Sequence, residues 1–145
     1  MRCVVQRINS AVLTVEGKEI SRCGMGYLVL VGFTQGDDKS KVDYICNRIV
    51  KMRIFRDING KLNDSLEDIG GEVMCVSNFT LYANPATGRR PDFSHALSHD
   101  LAKPLYDYTL DVFQGLLGKV AAGAFGEHMH IDASVDGPVT VVFEK

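Results

Sequence analysis

The stretch SNFTLYAN, residues 77–84, sets Ser77, Asn78 and Thr80 close together. It follows the apolar run Val73–Val76, so these polar side chains stand where a buried strand ends. Strand ends and the loops after them are where binding and catalytic groups gather. Two hydroxyls and a carboxamide can also satisfy their own backbone, and the residues alone leave both readings open. The second candidate is Gly137-Pro138, ahead of the alternating run Val139–Phe143. Proline donates no amide hydrogen and fixes φ, so the pair reads as a turn that launches a strand. An X-Pro bond is also the one peptide bond that takes the cis form cheaply.

Other arrangements lose on context. His128 and His130 would share one face of a strand, but a metal site needs three or four ligands and no cysteine or carboxylate joins them. His95 and His99 could serve a nucleophile as base, yet they fit a solvated loop or helix start as well. Gly24-Met25-Gly26 precedes a strand and does not link strand to helix, so it is no dinucleotide loop. Asn63-Asp64-Ser65 and Asn78-Phe79-Thr80 fit the glycosylation pattern, which means nothing without secretion. No metal and no cofactor is expected.

The chain has 145 residues, 46% hydrophobic and 23% charged, which suits a single globular domain over residues 1–145. No apolar run reaches the roughly 18 residues of a membrane helix. The opening MRCVVQRINS carries a charge inside its short apolar run and no cleavage-like site, so no signal peptide is expected. The expected location is cytoplasmic, away from membranes. Net charge is −2 and the isoelectric point is near 6.1, so no global basic field attracts nucleic acid and no DNA partner is expected. A protein that grips one RNA end is still compatible with that charge. Cys3, Cys23, Cys46 and Cys75 are scattered without a C-x-x-C pair and read as buried free thiols.

The elements that must position these residues follow from periodicity. Arg2–Ile8 and Ala11–Val15 read as strands, with a turn at Glu16-Gly17 and a short return over Lys18–Ser21. YLVLVGF, from Tyr27, is a continuous apolar run of buried-strand length. Asp37 or Asp38 caps a helix whose stripe is Val42, Ile45, Cys46 and Ile49, with Arg48 and Lys51 outside it. MRIFRDINGKLND turns at Asn59-Gly60, and Gly70-Gly71 precedes a strand over Glu72–Ser77. YANPATGRRPDF is a loop. A second helix is predicted from near Lys103-Pro104 to Gly118, with Leu105, Tyr108, Val112 and Leu116 facing the core. Strands return near Val120–Ala124, Glu127–Ser134 and Val139–Phe143. The class is α/β: mostly antiparallel sheet with two main helices.

SNFTLYA taken together with DGPVT resembles the paired motifs of the D-aminoacyl-tRNA deacylases, usually S-Q-F-T-L and N-x-G-P-V-T. VVQRI, GYLVLVGF, RIFRDINGKLN, GRRPDF and AFGEHMHI stand in that family's order and spacing, so the resemblance runs nearly the full length. Asn78 stands where glutamine is usual and Val135 where asparagine is usual. Asn84 replaces a usual aspartate and Thr87 a usual lysine. These departures bear on fine geometry and tRNA preference.

The resemblance implies a barrel-like core, a homodimer, and hydrolysis of the ester joining a D-amino acid to the terminal ribose of tRNA. Glycine, lacking a side chain to reject, is an implied side substrate. It also implies that Gly137-Pro138 is cis and enters the partner chain's pocket as a chiral filter made of backbone. Ser77, Asn78, Phe79 and Thr80 would be the catalytic segment, with backbone amides around Phe79 and Thr80 as oxyanion donors to a water-driven reaction. Thr80 as nucleophile is the rival route, but no base adjoins it in sequence. Phe125 and Met129 would wall the pocket near the terminal adenine, or simply pack the core. Arg48, Lys51, Arg53, Arg56, Arg89 and Arg90 are local candidates for phosphate contacts. A nucleic-acid-binding protein without enzymatic activity, on the same fold, is the competing class.

Overall fold

The computed structural model describes residues 1–86 and 88–145; Thr87, in the predicted loop, lies outside the described residues. Strand β1 (Arg2–Val15) is continuous where two strands were predicted. Its first half pairs antiparallel with β3 (Gly26–Gly32), and its second half with β2 (Lys18–Cys23). Along its other edge runs β8 (His130–Glu144), also antiparallel. The sheet continues from β3 to β6 (Glu72–Ser77) and β7 (Ala121–Ala122), both joined in parallel. Ser21 Oγ donates to the Ala122 carbonyl at 2.8 Å, so β2 meets β7 and the mixed sheet nearly closes into a barrel. Strands β4 (Phe55–Arg56) and β5 (Leu62–Asp64) form the predicted hairpin outside it.

Both faces of β3 are covered, which is why its sequence is apolar without alternation. Tyr27, Val29 and Val31 join the core beneath the helices, while Leu28 joins a second cluster inside the barrel with Ile8, Leu13, Met74 and Val76. Helix α1 (Lys39–Val50) is capped by Asp38 and buries Val42, Ile45, Cys46 and Ile49, as its stripe predicts. Cys3, Cys23, Cys46 and Cys75 are buried free thiols.

Helix α2 (His99–Leu117) corrects the prediction. It starts at the Ser98 cap and carries Pro104 inside it, well past its first residue. Its fully buried stripe is Ala102, Tyr106, Thr109 and Phe113. Leu105, Tyr108, Val112 and Leu116 flank that stripe and are half-buried against the same core. Among the described residues no helix is long and apolar enough to cross a membrane.

The last strand is also corrected. Gly137-Pro138 does not launch it but lies inside β8. Ile8 pairs with Val135 and Gln6 with Thr140, so residues 136–139 stand opposite the single residue Arg7. Such a bulge forces the surplus backbone out of the ladder as an arch.

Candidate active site

A cavity of about 790 Å³ opens where β3 and β6 end and α2 begins. Gly32 makes its floor possible. A methyl group there would stand 2.9 Å from the Asn78 carbonyl oxygen and 3.1 Å from Leu81 Cβ. With hydrogen in that place, the chain leaving β6 crosses directly over the end of β3, and Asn78 N donates to the Val31 carbonyl at 2.7 Å. The segment then winds into a 3-10 helix, Phe79–Tyr82, capped by Asn78. Opposite, Leu97 N donates to the Phe33 carbonyl at 2.8 Å and Thr34 Oγ1 to the His95 carbonyl at 2.6 Å, which fixes the entry to α2.

The cap geometry decides how the polar groups face. Asn78 Oδ1 accepts from Thr80 N at 3.2 Å and from Thr80 Oγ1 at 2.5 Å. A backbone N–H can only donate, so the amide oxygen must face Thr80 and Asn78 Nδ2 is the end left over. Of the two amides expected as oxyanion donors, that of Thr80 is engaged by the Asn78 carboxamide in this structure. Phe79 begins the short helix, so its amide has no acceptor within that helix. The Thr80 hydroxyl hydrogen points at a carboxamide oxygen, which is no base.

The cavity joins Ser77, Asn78, Phe79 and Thr80 with Phe125 and Met129, residues far apart in sequence. Phe125 is seated by Tyr106, ring centroids 5.4 Å apart, and by the edge of His99 at 5.0 Å. Tyr106 in turn donates to the Cys75 carbonyl at 2.9 Å and is held close to the Gly123 carbonyl at 3.1 Å. Burial pushes both the Tyr106 phenol and the Cys75 thiol upward, so both stay neutral beneath the cavity. Phe79 is 57% exposed at the mouth, edge-on to Phe93 at 5.1 Å.

Phe93 and His99 are cavity residues that the sequence did not single out as such. His99 was weighed as a base and stands on the wall, its Nδ1 3.2 Å from the exposed Asp100. His128 and His130 touch edge to face at 5.1 Å, and no group of three or more His, Cys, Asp or Glu is placed to hold a metal among the described residues.

Gly137-Pro138 does not line this cavity in its own chain. The bond is cis, and Gly137 has φ of 121°. A Cβ on Gly137 would stand 2.7 Å from Val139 N, so only glycine fits this backbone. Both residues are exposed. Beneath them lies Arg7, its side chain 5% exposed and its Nε 2.8 Å from Asp136 Oδ2. That Nε has no aligned hydrogen-bond acceptor, so the contact with Asp136 is an ion pair. Arg7 Nη1 donates to the Ile54 carbonyl. Arg7 lies within VVQRI but was not singled out, since it reads as an ordinary strand residue.

A nearly closed mixed barrel with two helices and an apolar cavity at its strand ends defines the structural class. Among solved structures, one named c-Myc DNA Unwinding Element Binding Protein matches 100% of this chain and 99% of its own, at TM-score 0.94 and 34% identity. A probable eukaryotic D-amino acid tRNA deacylase shares the fold at TM-score 0.87 and 18% identity, over 98% of this chain and 97% of its own. Proteins named D-aminoacyl-tRNA deacylase are 40% identical in Limosilactobacillus reuteri, over 100% of both chains. The one from Clostridioides difficile is 44% identical over 100% of this chain and 97% of its own. The sequence profile of the D-Tyr-tRNA(Tyr) deacylase family matches residues 4–144. The chain belongs to that family.

Proposed function

We propose that this chain is a D-aminoacyl-tRNA deacylase that hydrolyses the ester between a D-amino acid, or glycine, and the terminal ribose of tRNA. The observation that carries the reading is the convergence of Ser77–Thr80, Phe125 and Met129 on one cavity. Phe125 and Met129 form the wall for the terminal adenine, and the ester carbonyl lies against the 77–80 segment. Phe79 N–H and Asn78 Nδ2 are the donors for the developing oxyanion. An activated ester needs positioning and charge stabilisation more than a strong nucleophile, so water attacks. The Thr80 hydroxyl, with its hydrogen committed to Asn78, offers lone pairs to orient that water or the substrate.

Stereochemical selection falls to the 136–139 arch supplied by a second copy of the chain. Two observations support this: Gly137 and Pro138 are exposed and absent from their own chain's cavity, and among the described residues β8 pairs only with β1, with Val135 42% and Val142 59% exposed. Exposed apolar strand edges mark association surfaces. Backbone atoms at Gly137-Pro138 can read the substituents on an α-carbon while ignoring which side chain it bears.

The name of one solved relative gives the rival reading, a DNA-binding protein, its specific support. Purified protein incubated with D-tyrosyl-tRNA separates the two. Catalytic release of free tyrosine is expected; tight, salt-dependent duplex DNA binding without turnover would favour the rival.

A further inference from the structure

A second concavity, about 860 Å³, runs between α1 and the C-terminal half of β8. Arg48, Lys51 and Arg53 stand along it, with Tyr44, Val141 and Phe143. Asp43, the one acid on its wall among the described residues, accepts from the Tyr108 hydroxyl at 2.9 Å. Arg53 is held by Asn63 at 2.6 Å. Arg48 and Lys51 form no ion pair with any described residue. Their place at the end of α1 favours the helix dipole but leaves their outward charge unused. Tyr44 is 49% exposed. Unpaired cations beside an exposed aromatic suit a nucleic-acid backbone, and the protein's overall charge of −2 makes such a local concentration conspicuous.

The groove is linked to the arch through Arg7 and along β8. Arg7 ties Asp136 to Ile54, the residue after Arg53, and Val141 stands three residues beyond Pro138 on β8. In the proposed dimer, an arch entering a partner's cavity would bring its own groove toward that cavity. We propose that this groove holds backbone phosphates of the tRNA whose acceptor end occupies the partner subunit's cavity, an inference that rests on the deacylase and dimer reading above. Each active site would then take cavity from one chain, and arch and phosphate grip from the other.

The test compares D-tyrosyl-tRNA with 3′-O-D-tyrosyl-adenosine, which has the ester and the adenine but no phosphates. Arg48→Ala/Lys51→Ala should lower the ratio of kcat/KM on tRNA to that on the nucleoside by about tenfold or more at low salt. The slope of log kcat/KM for tRNA against log salt should flatten by about 1.4–1.8, two phosphates' worth. An unchanged ratio and slope would overturn the groove while leaving the deacylase reading intact. A parent protein inactive on both substrates would overturn both. A variant that becomes monomeric by light scattering would make the groove a subunit interface and also overturn it.

Mixed dimers decide which cavity the groove serves. Gly137→Val disables the arch, since a Cβ there meets Val139 N at 2.7 Å. With both lesions on one chain of the dimer, the surviving site should show the parent's ratio and salt slope. With the lesions on different chains, the surviving site should show the groove variant's lowered values. The reverse assignment would place the groove with its own chain's cavity and refute the arrangement in trans.

Discussion

Replacing Asn78 with aspartate separates two roles that one side chain combines. A carboxylate has nearly the shape of the carboxamide. One oxygen can keep both bonds that Oδ1 now accepts, from Thr80 N at 3.2 Å and Thr80 Oγ1 at 2.5 Å. Aspartate and asparagine cap helices about equally well, so stability should change by no more than about 0.5 kcal/mol. What disappears is the Nδ2 group proposed as a donor, replaced by a negative charge facing the proposed position of the oxyanion. Loss of one such donor costs about 2.7–4 kcal/mol in the transition state, or roughly 10²–10³ in kcat, and the added charge acts in the same direction. Two hydrogen bonds to the carboxylate favour its ionised form, so this holds at neutral pH. The assay is single-turnover deacylation of D-tyrosyl-tRNA at saturating enzyme, with urea denaturation on the same preparations. An Asn78→Asp protein within about threefold of the parent rate would show that Asn78 only caps the 3-10 helix, and the donor assignment would fail.

If water attacks, as proposed, Thr80→Ala should lose rate only modestly; an acyl-enzyme trapped on Thr80 would establish the nucleophile instead. Gly32→Ala should destabilise the fold by about 1–3 kcal/mol and slow deacylation together, since its methyl would meet the Asn78 carbonyl at 2.9 Å. A denaturation midpoint equal to the parent's would refute the close approach as a constraint. Burial raises the Cys23 thiol to about 11 and Cys3 to about 12, while Cys75 is also pushed up. The thiolate is the reactive form. At pH 8 the folded protein should therefore react with Ellman's reagent only after denaturant is added; rapid labelling of native protein would contradict the packing.

Periodicity revealed what has a repeating environment. The α1 stripe and the doubly buried β3 were legible because every turn or residue meets the same core. Gly137-Pro138 was legible as a break but not as an arch. Residues 136–139 interrupt β8 without ending it, and only the pairing of Ile8 with Val135 and Gln6 with Thr140 reveals the bulge. Pro104 misled in the same way. Proline favours a helix's first turn, but here packing of Ala102 and Tyr106 carries the helix back to Ser98. At the site, Ser77–Thr80 stood out as a cluster, and family resemblance pointed to Phe125 and Met129. Phe93, at the end of GRRPDF, and His99, a possible base, reach the cavity from the far side of a loop, and local sequence does not display that convergence. Arg7 was invisible for a different reason: its significance is a contact with Asp136, and sequence does not display pairs so far apart. Asn78 was legible only as part of a polar cluster able to satisfy its own backbone, and its capping of the 3-10 helix appears only in the structure.

The stereochemical outcome is the sharpest test of the proposed function. Matched D- and L-tyrosyl-tRNA, each bearing the same tRNA, are incubated with the purified protein in the presence of a chelator, and the two first-order rates of ester loss are compared. Steady hydrolysis of the D ester is expected, while the L ester decays no faster than without enzyme. Equal hydrolysis of both esters, or of neither, would contradict the proposed function.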